Sequence, residues 1–233
     1  MARRRFTALA TALAIAFVLP GFHVQAQAPS RTAPVVTVLN DSALSGYGSG
    51  SAIGPDGALY VTNGIKGTLV RIDPETGAAK VVGRGLPPRF IDIGAAMDVA
   101  FLGDRAYVLV SVAGVAVGGP DDVMGLYRLK RNGTFSVFAD LGTWSTNHPP
   151  TDPDWFVTQG VQYSMEVWRK GFLVTDAHLA RVIRVGRTGR IRELVGFGST
   201  DRVPLGLEVV DGKVFLSTAG PIPTCPPPRR STR

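Results

Sequence analysis

The chain has 233 residues, enough for a domain with its own hydrophobic core. Its 28 Gly, 17 Pro and 18% charged residues suit a turn-rich β protein rather than a helical one. The net charge of +7 does not mark a nucleic-acid or anionic-lipid binder: six arginines (Arg3, Arg4, Arg5, Arg229, Arg230 and Arg233) sit at the two ends, and without them 19 basic residues face 18 acidic ones.

Residues 1–26 read as a secretory signal peptide. Arg3-Arg4-Arg5 is followed by an apolar run from Ala8 to Leu19, then Pro20-Gly21, then the small-residue site Val24-Gln25-Ala26 before Gln27. Cleavage between Ala26 and Gln27 is expected. The run is too short for a membrane span, so no stable anchor should remain. The Arg pair fits Sec or twin-arginine export, to the periplasm or beyond the cell. Residues 27–33 form a polar lead, and the single Cys225 allows no internal disulfide and no Cys-based zinc site.

Residues 34–220 carry a repeat. Pro34 to Leu39 reads as a leading strand. It resembles the fourth strand of the units that follow, and its place would be the ring-closing strand of a last blade. The first unit, GSAIGPDGALYVTNGIKGTLVRIDPETGAAKVV, holds four short strands joined by turns ending in Gly57 and Gly77. That is the size of one propeller blade. The turn glycines between third and fourth strands, Gly77, Gly133 and Gly189, are spaced 56 and 56 apart. Before them stand Leu69–Ile72, Leu126–Leu129 and Val182–Val185, each with an Arg in the same place (Arg71, Arg128, Arg184). These arginines are expected to pair between blades, or alternatively to ring a ligand. Second strands align as Leu59–Thr62, Ala106–Leu109, Phe172–Thr175 and Val214–Ser217. First strands align as Ser51–Ile53, Asp98–Phe101, Ser164–Val167 and Gly206–Val209. The fold class is therefore all-β: a propeller of one leading strand, three full blades and half a fourth, with a non-repeating sandwich as the alternative.

Two insertions interrupt the repeat, Val112–Val123 and Leu141–Gln162. The second is rich in aromatics and carboxylates and reads as an ordered, ligand-facing loop. Its Trp144, His148, Asp152, Asp154 and Trp155, with His178, are the candidate ligand-binding residues. As single residues, His148 and His178 read as solvated loop histidines. No Gly-x-Ser-x-Gly elbow is present, and no catalytic residue is assigned.

GPDGALYVTN followed by strand, turn and strand resembles the NHL-type six-bladed propellers, a group that includes strictosidine-synthase-like and gluconolactonase-like proteins. SAIGPDGALYVTNG, GLYRLKRNGTFSVFADLG, NHPPTDPDWFVTQGVQYSMEVWRKGFLVTDAHLARVIRV and VPLGLEVVDGKVFLSTAGPIP resemble more closely the ScyD/ScyE family of exported bacterial propellers. That resemblance implies fold and export rather than a reaction. The function implied is a non-catalytic propeller binding a small molecule, glycan or protein. The gluconolactonase-like resemblance implies the alternative, a metal-dependent hydrolase. For it, Asn63, Glu166, Asp176 and Glu208 offer oxygen chemistry suited to Ca²⁺ or another divalent metal. The same four residues also suit loop capping and ladder edges.

A complete relative would add a third and fourth strand after Ser217. Here Gly220 is followed by PIPTCPPPRRSTR, whose five prolines fit no strand. Residues 221–233 read as a disordered tail, and the chain as truncated or as completing its ring with another chain. Open edges of this kind predict self-association.

Overall fold

In the computed structural model the described residues are 37–40, 44, 48–151, 157–198 and 202–220. The chain divides into two units, Met1–Thr37 and Val38–Arg233, and the sheets belong to the second. The signal segment, the cleavage site, Val35, Val36 and the tail from 221 lie outside the described residues.

Three antiparallel four-stranded sheets follow one another, each in simple chain order. The first is β1 (Gly48–Ile53), β2 (Leu59–Asn63), β3 (Thr68–Ile72) and β4 (Ala79–Arg84). The second is β5 (Ala95–Leu102), β6 (Arg105–Ser111), β7 (Gly125–Leu129) and β8 (Phe135–Asp140). The third is β9 (Gln162–Trp168), β10 (Gly171–Asp176), β11 (Arg181–Val185) and β12 (Ile191–Gly196). A two-stranded sheet, β13 (Val203–Val210) with β14 (Lys213–Ala219), comes last. The inner strands β1, β5, β9 and β13 pack side by side in that order. These are the blades of a β-propeller: three complete and half of a fourth.

The second strands explain why these runs read as continuously apolar. A blade is covered on both faces, so alternate residues serve two different interfaces. In β6, Tyr107 and Leu109 pack toward the third blade, while Ala106, Val108 and Val110 pack toward the first. In β10, Phe172 and Val174 face the second blade, and Leu173 faces the half blade. Tyr107, Phe138 and Phe172 form the aromatic centre of the core, with ring centroids 4.8–6.3 Å apart and tilted or edge-on. β14 breaks the pattern: its burial is mostly exposed, and Phe215 is 57% open. Among the described residues no further blade covers its outer face.

The glycine repeat has a packing cause. Gly77, Gly133 and Gly189 all have φ of 72 to 83°. A Cβ at Gly189 would collide with the Phe138 carbonyl on β8, and one at Gly133 would press on the Val82 carbonyl on β4 at 3.3 Å. Only glycine accepts both the left-handed turn and the close approach of the preceding blade's fourth strand. At Gly77 the backbone so approached is Leu39, and the Asn40 Nδ2 donates to the Gly77 carbonyl at 2.9 Å. Leu39 thus stands where a preceding blade's fourth strand would stand. The leading strand expected over Pro34–Leu39 is nonetheless not formed over Thr37–Leu39, because no strand among the described residues lies beside it to build a ladder.

Two other expectations are corrected. The segment 141–147, expected as loop, is a short helix, α1 (Leu141–Asn147). Asp140 caps it by accepting from the Thr143 N–H at 2.8 Å, and Pro149-Pro150 ends it. Two of the three repeating arginines, expected to pair between blades, are held within their own. Arg71 pairs with Asp56 of its own blade at 2.7 Å, and Arg184 lies over its own blade's Trp168, 5.1 Å from the ring centroid. Arg128 lines an open groove with Arg105 and Lys130. An Arg on a third strand meets the hairpin beside it before it can reach the neighbouring blade.

Candidate functional site

Each inner strand is irregular near its start, and the irregularity places the polar groups. The ladder slips between Gly48 and Ser51, Ala96 and Asp98, and Pro204 and Leu207, and between Val174 and Asp176 of β10 opposite β9. In three blades a hydroxyl of the second strand accepts the N–H freed there. Gly50 donates to Thr62 Oγ1, Ser164 to Thr175 Oγ1 and Gly206 to Ser217 Oγ, each at 3.0 Å. The second blade has Leu109 instead of a hydroxyl, and Asp98 beside its slip accepts two other N–H groups. Its Oδ1 accepts from its neighbour Val99 at 2.8 Å, and its Oδ2 accepts from Met165 of the third blade at 2.7 Å. Asp98 thus ties two inner strands together.

Burial pushes the Asp98 carboxyl up to about 6, against the pull of its two N–H donors. The folded state then holds its proton more tightly than the unfolded chain does. The resulting stability is present at low pH and is lost as pH rises through about 6. Between pH 5 and 7 this group alone should cost the fold about 1 kcal/mol. His178, whose pKa burial pushes down, acts in the opposite sense, so the test is the difference between wild type and Asp98→Asn. In urea denaturation the wild type should lose about that much stability relative to the variant between pH 5 and 7, and a difference that stays constant would contradict the assignment.

Of the four oxygen ligands expected for a metal, two are already engaged. Asn63 donates from Nδ2 to the Leu44 carbonyl and accepts from the Lys66 N–H, at 3.1 and 3.0 Å. Asp176 is fully buried, accepts from the Val161 and Leu179 N–H groups, and faces Arg181 Nε at 3.3 Å. Burial still pushes its carboxyl up, with Arg181 opposing. Glu166 and Glu208 hold equivalent places on neighbouring inner strands, Glu166 half-buried and Glu208 exposed. Burial, then the charge of Glu208, then that of Asp98 raise the Glu166 carboxyl. Among the described residues no three His, Cys, Asp or Glu side chains gather as a metal set. The set does not fit a Ca²⁺ shell of six or more oxygens.

The loop residues divide. Trp144 on α1 and His148, its C-cap, lie about one turn apart with rings stacked at 4.7 Å. Arg181, 1% exposed, lies 4.8 Å from the Trp144 centroid and donates to the His148 carbonyl at 2.7 Å. The Trp144 ring and the His148 carbonyl therefore anchor the inserted segment to the third blade. Asp152, Asp154 and Trp155 lie outside the described residues. His178 has a different place: it is buried, its Nε2 accepts from the Val157 N–H at 3.2 Å, and it lines a cavity.

That cavity, about 720 Å³, opens where the inner strands begin and the second strands end. Both insertions build it: Val112 and Val117 come from the first, and Val157, Thr158 and Val161 from the second. Ile91 and Ile93 supply an exposed apolar rim. Tyr163, Val203 and Leu205 come from the inner strands. A smaller recess of about 220 Å³ shares the wall of Ile93, Val112, Val161 and Tyr163, and also touches Ser49, Arg89 and Asp92. Apolar residues in loops carry no periodicity, so none of these except His178 was marked by sequence alone.

Blade architecture and a cavity at one end of the inner strands define a β-propeller with a concave site. No family model matches the chain, and no curated protein sequence matches it. Among solved structures it is similar to an auxiliary nutrient binding protein from Bacteroides thetaiotaomicron VPI-5482, with TM-score 0.51 and 11% identity, covering 74% of this chain and 36% of that one. It is also similar to virginiamycin B lyase from Staphylococcus aureus (0.47, 13%, covering 73% and 48%) and to a putative gluconolactonase (0.49, 16%, covering 75% and 58%). The chain thus spans between about a third and three fifths of the length of these proteins. At such identities the likeness concerns the fold alone.

Proposed function

We propose that this chain is an exported, non-catalytic propeller of the NHL-type six-bladed group, ScyD/ScyE-like, that binds a small molecule in the cavity of the second, third and half blades. The observation that carries the reading is the cavity itself. Both inserted loops converge on it, and its size falls within the ~300–1,000 Å³ of small-molecule sites. Among the described residues no nucleophile with an adjacent base lines it, and His178 there is engaged by a backbone N–H. The basic start, apolar run and Val24-Gln25-Ala26 site support export, with residues 1–26 removed.

The second reading, a gluconolactonase-like hydrolase, draws on the Glu166–Glu208 pair alone. Both readings are tested on protein recovered from the exported fraction. Its mass should give an N-terminus at Gln27 or within a few residues. Its metal content, before and after chelation, should be substoichiometric and its melting temperature indifferent to chelator. Intact Met1 would refute export. One tightly held divalent ion per chain, with lactone hydrolysis lost on Glu166→Gln, would replace the binding reading by the hydrolase.

A further inference from the structure

We propose that the cavity selects an uncharged, predominantly apolar small molecule and refuses ionic ligands and glycans. This deepens the binding reading above and rests on it. Among the described residues no Lys, Arg, Asp or Glu lines the large cavity. Burial pushes the pKa of His178 down, and its Nε2 accepts from the Val157 N–H. An ion entering here would shed its hydration and meet no opposite charge among these residues. The nearby ionised groups, Arg89 and Asp92, line the smaller recess beyond the shared wall and carry opposite signs. A glycan needs a dense array of hydrogen-bonding partners, whereas the polar side chains here are Thr158, Tyr163 and His178.

The apolar lining is also unusually open. Ile91 is 38% exposed, Ile93 54% and Tyr163 39%, on a rim formed by loop and inner strand. A flat or alicyclic body entering between them would cover this surface. The three polar side chains would then read one or two hydrogen-bonding groups on it.

Two probes sharing one skeleton separate the classes: N-phenyl-1-naphthylamine, which is neutral, and 1-anilinonaphthalene-8-sulfonate, which is anionic. Fluorescence titration of the full mature chain should give one site for the neutral probe, at least about tenfold tighter than for the sulfonate. Ile91→Asp and Ile93→Asp, both on an exposed loop and so safe for folding, should each weaken the neutral probe about tenfold. Phe215→Ser, on the open face of β14, should leave it unchanged. A sulfonate that binds as tightly as the neutral probe and responds to Ile93→Asp would overturn the ligand class but keep the cavity as a site. If neither probe binds a cooperatively melting chain, or if neither rim substitution matters, the binding reading itself falls at this cavity.

Discussion

Arg181→Met should lower the free energy of unfolding by about 3–5 kcal/mol, the cost of leaving a buried charge without its partner. Arg181 and Asp176 are 1% and 0% exposed, and they face each other at 3.3 Å. Arg181 also holds the His148 carbonyl at 2.7 Å and lies against the Trp144 ring, so it joins α1 to the third blade. Its Nη1 stands 3.6 Å from Glu193 Oε2, a weaker and half-exposed contact. Removing the guanidinium strands the Asp176 carboxylate in a dry site. The carboxyl keeps the Val161 and Leu179 N–H groups, which soften the loss but carry only partial charge. Pairing the substitution with Asp176→Asn should recover much of the stability, because Asn can still accept both N–H groups without a charge. Denaturant midpoints of the wild type, both single variants and the double variant measure this directly. A loss below about 1 kcal/mol in Arg181→Met would show the ion pair to be idle.

Self-association is the second large effect. The chain from Gln27 should run as a dimer or larger species in size-exclusion chromatography with light scattering. β14 pairs only with β13 among the described residues. Phe215, Val214 and Val210 on this sheet are 57%, 41% and 48% exposed, whereas the equivalent strand β10 is buried throughout. An apolar sheet with an unpaired edge is a template for another strand. Phe215→Glu should shift the population toward monomer by placing charge on that face. A monodisperse, cooperatively melting monomer of the unsubstituted chain would contradict the expectation.

The blade repeat was legible in the sequence because its causes are local. A turn ending in glycine, an apolar run and a 56-residue period survive without any knowledge of neighbours. The roles of Asn63 and Asp176 were half legible: their residue types suit both capping and ligation, and the fold uses them as caps. Asp98 reads in the sequence only as a first-strand residue. Its bond to Met165 crosses 67 residues of chain, so no local pattern announces it.

Composition and spacing alone therefore determined the architecture, the number of blades and the near neutrality of the folded part, since these depend on local turn chemistry and on counting. Tertiary structure decided which side chains meet. It sent Trp144 and His148 to Arg181, kept the recurring Arg71 and Arg184 within their own blades, and gathered no third ligand with Glu166 and Glu208 among the described residues. It also made a cavity from aliphatic residues scattered between Ile91 and Ala219. The physical reason is that a cavity is defined by how loops from separate blades pack around empty space, and valines and isoleucines carry no mark in a sequence to say which of them will face it.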